Sequence, residues 1–457
     1  MEVEQQSSVI PFVLYLVMAV LFAGYSASKA DRKGFAFIIV FWILSGPVLA
    51  TKFYLKAAWM PFGLPPERIL FLIFLSMIVV DALRGISEKN YPGWKSHRPG
   101  FDKYLYIYVL LVIVAVAVNY QSLEPKSLIA IPLEPITFVL MYLVIRKNIT
   151  QKTLKVFLNA IVIMGVVNAL ISLVQVAVDP MFLRTEAPRR AFGDVYRAFG
   201  IFRSEYVLGH FQMIALFAAL TLYKTSSLRW PVVSLIALSI LTTFHRLDIL
   251  VLMISVLIYM RFYTRRRLGP VSTAMLVLAI VSVLPIYSLV QSSLRGSAIV
   301  QERLMADTVS GRLKQFGIVI EAMPGYPLGM GSLYTPAYQE LMISNGLYVS
   351  GRDELGRQTK HALEVHNGFL SIGIQYGILA MIVFTWMFWK MIDYFRKRMD
   401  GPISVNVVSL FSVLTWMLAN STNGIVLFRD HNVLVVALMI GAFSGWYIKT
   451  DRVKTGI

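Results

Sequence analysis

Thirteen stretches of about 20 mostly apolar residues recur from one end of this 457-residue chain to the other, each the length that crosses roughly 30 Å of hydrocarbon as a helix. They lie near 9–28, 34–53, 67–83, 104–121, 127–145, 155–178, 207–223, 230–245, 247–260, 271–290, 367–391, 403–427 and 431–448. No large soluble domain fits between them. The predicted fold class is all-α: a polytopic integral membrane bundle of about 13 transmembrane helices. Helices one to ten fall in 1–290, one long extracytoplasmic loop with short amphipathic helices in 291–366, and the last three helices in 367–457.

Basic residues orient the bundle, because short cytoplasmic loops carry an excess of Lys and Arg. Assigning alternate loops to the inside collects the clusters at 29–33, 84–103, 146–155, 224–229, 261–267, 390–398 and 449–454, which hold more than half of the 43 basic residues. Two outer segments aside, the outer connections hold only Lys52, Lys56, Arg68, Lys126, Arg246 and Arg429. The first eight residues carry Glu2 and Glu4 and no base. The N-terminus is therefore expected outside, without the basic n-region of a cleavable signal peptide, and the C-terminus inside. One apolar run, 230–260, would be about 46 Å long as a single helix and would bury Arg246 in mid-membrane. Basic residues flank both of its ends, so it reads as a hairpin of two short helices with Arg246 at the outer surface. The net charge of +18 then reflects cytoplasmic loops facing anionic lipid and gives no reason to invoke nucleic acid. The absence of cysteine excludes disulfides and thiolate chemistry.

The charge rule fails in two outer segments. The first, 179–206, carries Arg184, Arg189, Arg190, Arg197 and Arg203 without a lysine, partly balanced by Asp179, Glu186, Asp194 and Glu205. The second, 291–366, adds Arg295, Arg303, Arg312, Lys314, Arg352, Arg357 and Lys360. Long translocated loops escape the rule, so any one of these is most simply a solvated surface group. Taken together they supply the side chain that grips phosphate bidentately. Within the second segment, 310–323 reads as an amphipathic helix capped by Ser310. Leu313, Phe316, Ile320 and Met323 share one face, Arg312 lies in the first turn, and Pro324 stops the helix. The following glycine-rich turn at 325–331 has neither the preceding strand nor the spacing of a dinucleotide fingerprint. Asn367 is placed to cap the helix that follows, which puts His366 at a positive helix end where a neutral imidazole, able to take a proton from a hydroxyl, is favoured.

Arg197-Ala-Phe-Gly200, Thr242-Thr-Phe-His-Arg246, Gly311-Arg312, Pro327-Leu-Gly-Met-Gly331 and His366-Asn367 occur in that order over about the second half of the chain. This ordered set resembles the O-antigen ligase and O-antigen polymerase superfamily of bacterial envelope enzymes, membrane glycosyltransferases of GT-C-like build. The sequence departs from the family pattern at His245, where relatives commonly have serine. It departs again after Gly200, where Ile-Phe-Arg-Ser-Glu replaces the commoner Pro-Asn. The resemblance implies transfer of a glycan from undecaprenyl diphosphate, on the outer face of the bacterial inner membrane, to an acceptor hydroxyl. It also implies inversion of the anomeric centre, with no metal and no cofactor. Read onto these residues, Arg246 and Arg312 take the diphosphate, Arg197 and Arg203 assist, and His366 is the general base or orients the acceptor. Glu364 positions the imidazole and Asn367 caps its helix.

The partners so implied are the lipid-linked donor, a glycan or lipid A core acceptor, membrane lipids, and a chain-length regulator or flippase. A polymerase is slightly favoured over a ligase, because thirteen spans depart from the ligase's twelve-span layout. A transporter would place ionisable groups near the bilayer midplane. Asp81, His210 and Glu134 are the few candidates, and only Glu134 is deep. A scaffold subunit is the third reading. No Asp-x-Asp pair lies on a cytoplasmic loop and no Walker-type loop occurs, which disfavours nucleotide-sugar or ATP chemistry.

Overall fold

The computed structural model describes residues 33–52, 66–83, 99–184, 188–192, 195–202, 204–223, 225–245, 248–249, 251–256, 307–352, 358–397, 405–422 and 431–455. Among them the chain is mostly helical. The helices are α1 Lys33–Lys52, α2 Pro66–Leu83, α3 Asp102–Val118, α4 Pro125–Asn148, α5 Gln151–Ala177, α6 Glu205–Leu222 and α7 Arg229–Thr242. After 306 come α8 Asp307–Ala322, α9 Pro336–Ser344, α10 Gly368–Tyr376, α11 Ile378–Arg396, α12 Val405–Thr422 and α13 His431–Thr455. Four of them, α4, α5, α6 and α11, are long and apolar enough to cross a membrane, and α1, α7, α12 and α13 contain shorter apolar stretches. A multi-pass helical membrane protein follows. The expected spans at 9–28 and 271–290 lie outside the described residues.

Close approach of small residues and buried aromatic rings hold the bundle together. Gly441 and Gly445 of α13, one turn apart, sit against the backbone carbonyls of Tyr142 and Arg146 on α4, so that any side chain there would collide with backbone. Phe217 of α6 stacks on Phe411 of α12 with ring centroids 3.8 Å apart. Trp416 of α12 packs between Phe138, Phe384 and Phe388. Where α3 begins and α4 ends, three buried polar side chains close on one another. Arg146 Nη1 donates to Asp102 Oδ2 at 2.6 Å and to the Tyr142 hydroxyl at 2.8 Å, and that hydroxyl donates to Asp102 Oδ1 at 2.7 Å.

Four expectations are corrected. The stretch 367–391 is not one span: Gly377, at φ +91°, separates α10 from α11. Phe369 packs on Phe384 and Phe388 at 5.7 and 5.9 Å, so α10 folds back along α11. In a continuous helix residues 369 and 388 would stand roughly 28 Å apart. Secondly, the outer segments contain strands as well as helices. β1 Arg190–Phe192 pairs antiparallel with β2 Val195–Tyr196, and β3 Tyr348–Arg352 with β4 Gln358–Ala362. Thirdly, α8 starts at Asp307 rather than after Ser310, since an aspartate suits a positive helix end as well as a serine does. Fourthly, Met323, read as the last residue of that helix, lies in the short 3-10 turn Met323–Gly325 that follows it; Gln315, Val319 and Met323 are buried, while Leu313 and Ile320 are exposed.

The break at Gly377 is filled from elsewhere. Pro327-Leu-Gly-Met-Gly331 docks on the end of α10, where Met330 N and Gly331 N donate to the carbonyls of Ile374 and Gln375, both at 2.8 Å. The carbonyl of Pro327 lies where a Cβ on Gly377 would be, so residue 377 needs both the left-handed backbone and the missing side chain.

Asp102→Ala should cost about 3–5 kcal/mol of stability, because Arg146 stays buried after losing its counter-charge. Asp102→Leu combined with Arg146→Met should recover most of that loss. Thermal unfolding of the purified, detergent-solubilised protein checks both, and an unchanged midpoint for Asp102→Ala would show that the pair does not hold α3 on α4.

Candidate functional site

His366 sits where the chain leaves the β3–β4 hairpin and enters α10. Asn367 has an extended backbone and its Oδ1 accepts from Leu370 N at 3.0 Å, the N-cap read from the sequence. The strip before it is irregular, so each backbone group needs a side-chain partner. Ala362 N donates to Gln339 Oε1 at 3.0 Å, and the Tyr338 hydroxyl donates to the carbonyl of Leu363 at 2.7 Å. Gln315 Nε2 donates to the carbonyl of Glu364 at 2.8 Å, and His366 N donates to Gln315 Oε1 at 3.1 Å. Between them the Val365 side chain is fully buried.

Arg312, one turn before Gln315 on α8, lies close enough to His366 to perturb it. The imidazole keeps an open face to solvent, yet crowding around the rest of the ring strips away water and lowers its pKa. The positive charge of Arg312 lowers it further, and the carboxylate of Glu364 opposes both. Glu364 itself accepts a hydrogen bond from the Tyr334 hydroxyl at 2.9 Å. Its effect on the imidazole is through charge. Arg312, Glu364, His366 and Asn367 thus lie near one another. Arg312 is exposed and pairs with no carboxylate among the described residues.

A second corner forms around the start of α6. Buried Gln175 of α5 pins the Arg197-Ala-Phe-Gly200 segment: its Oε1 accepts from Phe199 N and Gly200 N, both at 2.9 Å, and its Nε2 donates to the carbonyl of Gly200 at 2.8 Å. Gly200, at φ +59°, has Asn168 Oδ1 where a Cβ would stand. Ala198 N donates to the carbonyl of Thr242, which ties this segment to the end of α7. There the helix is interrupted: Phe244 takes a left-handed backbone and helical structure resumes at Asp248. Asp248 abuts Gly209 of α6 while Ser239 bonds Gln212, so the chain has turned back within a few residues. Arg246 and Arg203, expected here, lie outside the described residues.

Arg197 is half-buried and its Nη1 lies 2.9 Å from Oε1 of Glu205, which is 3% exposed, while Arg189 approaches the same oxygen at 3.7 Å. Arg184 donates to the carbonyl of Arg197 and lies over the ring of Phe199. Sequence reading missed a buried trio. Asp248 Oδ1 lies 3.3 Å from His210 Nε2, and Asp248 Oδ2 lies 3.1 Å from His245 Nδ1. The signal was present in His245 and Asp248 three residues apart, with His210 on the preceding span. α6 stacks on α12 through Phe217 and Phe411, and Asn420 of α12 meets Gly368 at the start of α10.

Residues 231–385 match the family model described as O-antigen ligase. That stretch supports the likeness to the O-antigen ligase/polymerase superfamily. It covers roughly a third of the sequence and takes in the interrupted helix after α7, Arg312 on α8 and His366. The Arg197 segment lies just before it. No curated protein matches the chain. The match supports a membrane enzyme of O-antigen ligase/polymerase type with a part in polysaccharide or lipopolysaccharide biosynthesis, and the apolar helices support a multi-pass membrane protein.

His366 should titrate below the ordinary histidine value of about 6.5. Replacing Arg312 by Gln removes a repelling charge and should move that titration up; replacing Glu364 by Gln removes an attracting one and should move it further down. Histidine NMR of the purified protein, with His366→Gln to assign the signal, measures all three. Shifts of the opposite sign would break the electrostatic account of the corner.

Proposed function

We propose that this chain is an inverting, metal-independent glycosyltransferase that moves a glycan from undecaprenyl diphosphate to an acceptor hydroxyl on the periplasmic face of a bacterial inner membrane. The observation that carries the reading is an exposed arginine, Arg312, which pairs with no carboxylate among the described residues and lies beside an accessible imidazole of lowered pKa at the mouth of α10. In one step the acceptor oxygen bonds to the anomeric carbon as the bond from that carbon to the diphosphate oxygen breaks. The hydroxyl proton passes to His366, and the diphosphate leaves with the bonding pair. Arg312, with Arg246 from the hairpin tip, neutralises the two to three negative charges of the departing group. Arg197, already committed to Glu205, takes a supporting place, with Arg203 beside it.

The acceptor divides two readings. The thirteen-span sequence pattern favours a polymerase, in which a second lipid-linked repeat unit brings the hydroxyl. The description of the matched family favours a ligase, in which lipid A core brings it. The lipid-linked glycan that accumulates on gene deletion separates them: single repeat units for a polymerase, finished polymer for a ligase. A chain-length regulator or flippase would be a partner in either case.

His366→Ala should slow transfer by at least about 100-fold with insertion and stability unchanged. Purified variant retaining more than about a third of wild-type turnover would remove the proton-transfer role. Arg312→Lys keeps the charge and loses the planar fork, so it should cost about 5- to 150-fold, and turnover should survive excess EDTA. Abolition by EDTA with recovery on adding magnesium would refute the arginine clamp. Orientation is checked in this cysteine-free chain with an impermeant thiol reagent. Glu340→Cys should label in intact cells and Lys397→Cys only after permeabilisation, and the reverse pattern would put the site on the wrong face.

A further inference from the structure

We infer that Gln315 is the positioning residue that sets Arg312 and His366 at working distance from each other; the inference rests on the transfer roles given to those two residues above. Gln315 is 2% exposed, and both ends of its amide are spent on the strip that carries the histidine. One hydrogen bond goes to the carbonyl of Glu364 and the other comes from the backbone N–H of His366 itself, so the carboxamide brackets the buried Val365. No other side chain of α8 has a hydrogen bond to residues 362–366 among the described residues. Tyr338 and Gln339, which hold Ala362 and Leu363, belong to α9.

Arg312 lies three positions before Gln315 on the same helix, so the bracket and the backbone that carries the guanidinium move as one rigid piece. The apolar contacts between α8 and the strip, through Val319, Met323 and Val365, are non-directional and permit sliding. A carboxamide that both donates and accepts fixes direction as well as distance, which neither a carboxylate nor a thioether of the same size can do. A misplacement of about 1 Å is enough to cost on the order of 100-fold in a reaction that depends on near-attack geometry.

The experiment compares wild type, Gln315→Met, Gln315→Glu and His366→Ala as purified protein, with an undecaprenyl-diphosphate glycan as donor. Each is read for thermal midpoint, kcat, donor KM and the NMR titration of His366. Gln315→Met keeps the volume and removes both hydrogen bonds. Its kcat should fall by at least about 10-fold with donor KM within about threefold, and the His366 titration should move up as Arg312 drifts away. Gln315→Glu keeps the acceptor for His366 N and loses the donor to Glu364, so its kcat should fall between wild type and Gln315→Met. A merely structural glutamine would lower the midpoint and leave the kcat and titration of the folded fraction at wild-type values; that result overturns the inference. If Gln315→Met does not fold, Gln315→Glu decides alone through its kcat, since its new carboxylate itself moves the titration, and a wild-type kcat overturns the inference. The transfer reading fails separately, by an active His366→Ala, and in that event the titration of His366 in Gln315→Met still tests whether the bracket sets the arginine-to-histidine distance.

Discussion

Backbone that leaves helix or strand inside an apolar bundle must find hydrogen-bond partners, and here buried carboxamides on the helices supply them. Gln175 of α5 uses all four of its hydrogen-bonding positions, two N–H groups and two carbonyls from residues 182, 199 and 200. Asn168, two turns earlier on α5, accepts from Ile201 N at 3.0 Å. Gln315 does the same for Glu364 and His366, and Asn119 donates to the carbonyl of Gly329 at 3.2 Å. Among the described residues, the irregular stretches that carry Arg197 and His366 are therefore each anchored to a helix by a buried carboxamide, Gln175 for the one and Gln315 for the other.

The fold-back of α10 extends the same logic. A helix ending inside the bundle strands its last carbonyls, and residues 330 and 331 satisfy two of them from a distant part of the chain. This gives the glycine-rich turn at 325–331 its structural purpose. The start of α10 lies beside Asn420, four residues beyond the Trp416 that packs on Phe384 and Phe388, while its end meets the docked turn.

Helical periods, the N-cap at Asn367, the stop at Pro324 and the interruption before Arg246 were legible in the sequence because each depends on neighbours within a few residues. The break at Gly377 was not, since nothing local distinguishes Gly377 from the other glycines of apolar runs; its cause is the carbonyl of Pro327, some fifty residues away. Which side of α8 is buried was not legible either: Leu313 and Ile320 have apolar helical spacing, but they are exposed while polar Gln315 is buried. Gln175 and Gln315 carried no signal as single polar residues in apolar or amphipathic runs. The trio of His210, His245 and Asp248 needed the chain reversal before its members could be seen as neighbours.

The arginines are where structure discriminates most against a reading by residue type. In sequence, Arg184, Arg189, Arg197 and Arg312 are equivalent outer-face cations. In the fold, Arg184 staples its own loop by bonding the carbonyl of Arg197 and covering Phe199, and Arg189 and Arg197 both converge on the buried carboxylate of Glu205. A buried carboxylate needs a neutralising partner, so removing Arg197 would strand Glu205 whether or not a substrate ever arrives. Loss of activity in an Arg197 variant is consequently no measure of diphosphate binding. Arg312 has no such debt: it is exposed, pairs with no carboxylate among the described residues, and lies close enough to the His366 imidazole to lower its proton affinity. A cation held in this way is stabilised by an arriving anion, which is the property a clamp for a departing diphosphate requires.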